Sequence, residues 1–158
     1  MGTPIGDTLT DAQQALAGAQ AVVVVDWPSR DVPDALVRGG FTVVVHGGPG
    51  PEDYAAYELE RGEVVVRPAG PSPERADLVY THRPVDELPG IVAMALTLGA
   101  NIIWIQSGLD ARGAKDPTGC WMPEPDSRRA REIVESAGLV YLDAPYIGDA
   151  VRQLDTGR

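Results

Sequence analysis

The sequence predicts an α/β fold, a mostly parallel sheet of five or six strands with helices on both faces. Three observations carry this prediction. Short runs rich in Val and Ile recur along the 158 residues, and they lack polar–apolar alternation, as strands buried on both sides do. Segments of helical character separate most of these runs, the pattern that gives parallel strands joined by helical crossovers. Gly or Pro stands at almost every junction, where it ends one element and starts the next. Right-handed crossovers then stack the chain into three layers, a Rossmann-like arrangement.

Each element follows from its own residues. Thr10-Asp11-Ala12-Gln13 has capping-box spacing, so a short helix is expected over Asp11–Ala17, within about residues 8–18, ended by Gly18. Ala21–Val25 is a continuous β-branched run and reads as the first strand. Asp31–Arg38 reads as a helix closed by Gly39-Gly40, and Phe41–Val45 as the second strand. Beyond the Gly/Pro loop at 47–51, Glu52–Leu59 reads as a short helix and Glu63–Arg67 as the third strand. A Pro/Gly loop at 68–73 leads to the fourth strand, Asp77–Thr81. Val85–Leu98 is a helix whose first turns Pro89 disturbs, with Gly99 at its end. Asn101–Ile105 is the fifth strand, Asp126–Ala137 a polar helix, Val140–Asp143 the sixth strand and Tyr146–Leu154 a last helix. The one long irregular segment is Ser107–Pro125, a length at which loops are usually functional or mobile. The whole chain, 1–158, is expected to form a single domain with this segment as an inserted loop.

Composition narrows the function. Apolar residues make up 44% and aromatics 6%, so the core is aliphatic. The formal net charge of −10 argues against a nucleic-acid partner, which needs a broad positive surface. It leaves room for a small anionic ligand held by local donors. Cys120 is the single cysteine, so no intrachain disulfide exists and a reducing, cytoplasmic location is expected. No signal peptide is evident, and no apolar stretch approaches the ~20 residues of a membrane helix.

In a doubly wound sheet, ligands sit beyond the carboxyl ends of the strands, near the point where strand order reverses. The residues there are Asp26-Trp27-Pro28-Ser29-Arg30 after the first strand, His46-Gly47 after the second, Arg67 at the third, His82-Arg83-Pro84 after the fourth and Gln106-Ser107-Gly108 after the fifth. Both histidines lie at such ends. Arg30, Arg67 and Arg83 would suit phosphate if they converge, or would simply solvate loop tips. The loop ending at Asp31 opens a helix whose free N–H groups favour an anion. The glycine fingerprint of dinucleotide sites is absent, and His46 stands where an NAD site has an acidic residue. His46, His82 and Cys120 have no metal-ligand spacing, so no metal is expected. Nothing local pairs Cys120 with His82 as a base. Trp104 reads as core, and Asp143 either as a cleft carboxylate or as a helix cap.

These stretches, from Ala21 to Asp143, resemble the stand-alone CoA-binding protein family, which is similar to the nucleotide-binding amino-terminal domain of the succinyl-CoA synthetase alpha subunit. The match is carried by Arg83-Pro84, the helix that follows, the Gly99-Ala100 turn, and Trp104-x-Gln106-x-Gly108. Gly39-Gly40-Phe41 fits the turn into the second strand, and Ala137-Gly138-Leu139 to Asp143 the closing strand. The chain departs from the pattern at Asp26-Trp27, at His46-Gly47, over 111–125 and at Asp143-Ala144-Pro145. The resemblance implies a Rossmann-like fold binding CoA or a related adenine nucleotide. Trp27, Pro28, Ser29, Arg30 and Asp31 would hold phosphates, with His46 and Gly47 near the adenosine. His82 and Arg83 would line the fourth strand's end, and Gln106, Ser107 and Gly108 would close the pocket. A non-catalytic binding module is the reading preferred. Two alternatives stand beside it: a regulatory or protein-interaction domain that has lost the nucleotide, and a small enzyme acting on a CoA-linked substrate under a 107–125 lid. No membrane partner is expected, and a homodimer is compatible with the fold.

Overall fold

The computed structural model describes residues 10–25, 30–47, 54–70 and 73–156. Its elements are α1 (Asp11–Ala17), β1 (Ala21–Val25), α2 (Asp31–Arg38), β2 (Thr42–His46), β3 (Tyr54–Glu60), β4 (Glu63–Gly70), β5 (Leu78–Thr81), a 3-10 turn (Val85–Glu87), α3 (Leu88–Leu98), β6 (Ile102–Ile105), α4 (Glu124–Ser136), β7 (Val140–Leu142) and α5 (Ile147–Thr156). The strands form one seven-stranded sheet in the order β4-β3-β2-β1-β5-β6-β7. The five strands from β2 to β7 through β1 are parallel. Strand order reverses between β1 and β5, because β2 lies on one side of β1 and β5 on the other.

Two expectations are corrected. The sheet has seven strands, not five or six. The extra strand is β3, which falls where Glu52–Leu59 reads as a short helix. The decisive residues lie just beyond it. Arg61 and Gly62 both have positive φ, 54° and 82°, as a two-residue hairpin turn of the primed type requires. That turn folds β4 back on β3 in antiparallel register, from Glu60 opposite Glu63 to Ala55 opposite Pro68. β3 in turn runs antiparallel to β2. Residues 52 and 53 lie outside the described residues.

Period-two alternation divides the sheet's side chains between two cores. Val22, Val24, Val43, Val45, Leu78, Tyr80, Ile102 and Trp104 pack under α1, α2 and α5 through Leu16, Leu36, Ile147 and Val151. Val23, Val25, Val79, Ile103 and Ile105 pack under α3 and α4 through Leu88, Val92, Ala95 and Val134. The absence of alternation in Ala21–Val25 thus reflects burial on both faces, and Trp104 is core. Local signals also hold. Thr10 and Gln13 form the capping box, and Pro89 sits in the first turn of α3, behind the 3-10 turn. At the amino edge, Asp77 accepts the backbone N–H groups of Gln20 and Ala21, both at 2.9 Å, and so joins the starts of β1 and β5.

Candidate functional site

Parallel strands bring the ends of β1, β2, β5 and β6 to one edge, and α2 and α5 both begin there. Trp27, Pro28 and Ser29, expected to hold phosphates, lie outside the described residues. Of the other sequence-derived residues, His82, Arg83, Gln106 and Ser107 meet around one cavity of about 230 Å³. This cavity lies between the ends of β5 and β6 and the start of α4. Val85, Ile105, Leu109 and Met122 complete much of its wall.

Gln106 is 2% exposed and fully engaged by the protein. Its amide Nε2 donates to the Pro145 carbonyl at 3.1 Å and approaches Cys120 Sγ at 2.8 Å. Its Oε1 accepts the Ile147 N–H at 3.0 Å, at the start of α5. Gln106 therefore shapes the edge by fastening β6, the inserted loop and α5 together. Ser107 works similarly at a shorter range. Its hydroxyl donates to the Trp121 carbonyl and accepts the Leu109 N–H. Gly108, at φ +70°, lets the backbone pass against His82, since a Cβ built there would lie 2.4 Å from His82 Cε1.

The segment from Ser107 to Trp121 is a folded unit. Gly108 N–H donates to the Gly119 carbonyl and Trp121 N–H to the Leu109 carbonyl, at 3.0 and 3.1 Å. Asp110 caps the tip by accepting from the Arg112 and Ala114 N–H groups. Cys120 is half buried, and burial together with the carboxylates of Asp143, Asp116 and Asp149 pushes its thiol up to about 11. Its neighbour is Gln106, so the structure does not pair it with His82.

The three arginines do not gather into one anion site. Arg67 lies within β4 and is bound by Glu58 and Glu60 on the hairpin. Arg30 lies 3.6 Å from Asp34 and places its guanidinium over the Tyr57 ring, 5.5 Å from the centroid. Arg83 is held by both carboxylate oxygens of Glu87, at 2.9 and 2.7 Å, and its N–H donates to Thr81 Oγ1. Each guanidinium thus already has an acidic partner, the consequence of a chain with more carboxylates than cations.

His46 ends β2 and lies against Tyr54, with ring centroids 4.7 Å apart. Gly47 is exposed beside it. Asp31, the first residue of α2, accepts the Tyr146 hydroxyl at 2.6 Å and pairs with Arg152 of α5. Burial opposes its ionisation, but the hydrogen bonds from Arg152 and Tyr146 outweigh that and hold the carboxyl below its ordinary value. Asp143 accepts the Tyr141 hydroxyl at 2.9 Å and is one of the carboxylates that raise the Cys120 thiol.

Sequence reasoning missed the apolar lining of the cavity, chiefly Leu109 and Met122, and the partners Tyr146 and Arg152 of Asp31. No spacing in the chain signals those contacts, because the sheet brings together residues far apart in sequence. Among the described residues, no group of three or more His, Cys, Asp or Glu side chains is placed to hold a metal, and no helix is long and apolar enough to cross a membrane.

Comparison with known proteins places the chain in a family. Solved structures of similar fold include Prb, a protein redesigned for binding, at 22% identity over 96% of this chain and 95% of that one, with a TM-score of 0.60. A hypothetical protein from Pyrococcus horikoshii has 21% identity over 98% and 97% of the two chains, with a TM-score of 0.58. A protein from Thermus thermophilus has 22% identity over 92% and 99%, with a TM-score of 0.53. At such identities the likeness concerns the fold. No curated protein matches the chain. The model of the CoA binding domain family matches residues 12–147, from α1 to the first residue of α5. The chain therefore belongs to the CoA binding domain family.

Proposed function

We propose that the protein is a binding module for CoA or a closely related adenine nucleotide, held across the carboxyl edge of the sheet. The observation that carries this reading is the family match over residues 12–147. In this reading the loop Trp27–Asp31 and the start of α2 take the phosphates, through N–H groups and the positive end of the helix. His46 and Gly47 lie by the adenosine at the end of β2. His82, Arg83, Ser107 and Gly108 border the far side of the ligand beyond β5 and β6. Asp31 and Gln106 position the edge through their bonds to α5 and the inserted loop.

A binding role is favoured over a catalytic one by the state of Cys120. Burial and the carboxylates of Asp143, Asp116 and Asp149 push its thiol up to about 11, against the opposing hydrogen bond from Gln106. A thiol so held is protonated at neutral pH and is a poor nucleophile. The test is calorimetric titration with CoA and with ATP, on the full chain and on Arg30→Ala and Arg83→Ala. Binding of CoA is expected, weakened by about 1.5–3 kcal/mol in each variant, the scale of a charged hydrogen bond. Unchanged affinity in both variants would remove these arginines from the ligand's contacts. No binding of either nucleotide would favour the interaction-domain alternative.

A further inference from the structure

The cavity at the ends of β5 and β6 differs in character from the remainder of the edge. Ile105, Val85, Leu109 and Met122 give it aliphatic walls, and Arg83 and Asp126 supply charge. Arg83 is already matched by Glu87, and Asp126 lies beside Glu124 in the first turn of α4. The charge around this cavity is thus balanced or acidic. Its volume of about 230 Å³ exceeds the roughly 150 Å³ that admits a benzene molecule into a protein core. Its place in the sheet also matters. β5 and β6 follow β1 in spatial order, each about 4.8 Å further across. The cavity therefore lies one to two strands away from the ends of β2 and β1, where the reading above puts the nucleotide.

Resting on the CoA reading above, we propose that the cavity receives a short, uncharged acyl group carried on the CoA sulfur, of roughly two to four carbons. The aliphatic walls bury the alkyl chain, and Met122 is pliant enough to fit different branches. A terminal carboxylate entering the same space would leave water to lie beside Asp126 and would have to displace Glu87 to reach Arg83. The protein would then select acyl-CoA over free CoA, and monocarboxylic over dicarboxylic acyl groups.

The test is a titration of the full chain with CoA, acetyl-CoA, butyryl-CoA and succinyl-CoA. Each methylene buried is worth about fourfold in affinity, so butyryl-CoA, with two more, is expected to bind roughly sixteenfold more tightly than acetyl-CoA. Succinyl-CoA is expected to bind no better than free CoA. Met122→Trp, and separately Val85→Trp, are expected to fill the cavity and erase the difference between butyryl-CoA and CoA, with unfolding temperature measured alongside. Equal affinity across the series, or a preference for succinyl-CoA, overturns this inference and leaves the CoA reading standing. An acyl preference that persists in both folded variants places the acyl group elsewhere and also overturns it. Failure of CoA and every acyl-CoA to bind overturns both.

Discussion

Replacing Gln106 by Leu tests whether this side chain fastens the edge or contacts the ligand. Leu keeps the approximate volume and removes every side-chain hydrogen bond. The amide spans three segments, reaching Cys120 Sγ and the Pro145 carbonyl through Nε2 and the Ile147 N–H through Oε1. Two bonds to backbone, each worth about 1 kcal/mol net, amount to about 2 kcal/mol. Ile147 is fully buried, so its N–H loses its partner without gaining water, adding on the order of 1 kcal/mol or more. A loss of about 3 kcal/mol follows. In a chain of 158 residues each kcal/mol moves the midpoint about 2–4 °C, so ligand-free Gln106→Leu should melt about 6–12 °C lower. Thermal unfolding followed by circular dichroism without nucleotide measures it. A midpoint within about 2 °C of the parent, together with lost CoA affinity, would show that Gln106 serves the ligand and refute the fastening role.

Three further expectations follow. Asp31 and Asp77 both have lowered carboxyl pKa values. Burial opposes the shift at Asp31 and hydrogen bonds from Arg152 and Tyr146 override it, while at Asp77 the N–H groups of Ala21 and Gln20 cause it. Their stabilising contribution is complete above the unfolded value of about 3.9 and is lost as pH falls through the lower folded values. Urea unfolding from pH 6 to pH 3 should therefore show falling stability, with a shallower decline in Asp77→Asn; an identical slope in the variant would contradict the assignment. Gly108→Ala should cost about 1–2 kcal/mol, because L residues resist positive φ and the new Cβ meets His82; chemical unfolding reads this, and a neutral result would mean the turn relaxes. Cys120, with its thiol pushed up to about 11, should react slowly with a disulfide reagent at pH 7.5 and much faster above pH 10; rapid labelling at neutral pH would contradict its burial.

The parallel core was legible because its cause is local. Ala21–Val25 and Ile102–Ile105 lack alternation since both faces are covered, and Gly18, Gly39 and Gly99 mark helix ends. The β3–β4 hairpin was not legible: Glu52–Leu59 reads as a short helix, whereas Tyr54 and Tyr57 are buried in the cores on opposite faces of the sheet. The Arg61-Gly62 turn carried the contrary signal, in a dipeptide less distinctive than Asn-Gly. The carboxyl edge was legible from topology alone, and four of its residues do share one cavity. Their engagements were not. The resemblance has Gln106 close the pocket, and its partners come from residues 14 and more positions away. The acidic partners of the arginines were not legible either, since Arg67 meets Glu60 across a hairpin and Arg83 meets Glu87 across a turn.

Native mass spectrometry of the gently purified chain, followed by titration with CoA, tests the central claim most directly. One CoA per chain, either co-purified or bound on titration and weakened in Arg30→Ala, is the result predicted. A bare chain that takes up neither CoA nor ATP at millimolar concentration would contradict it.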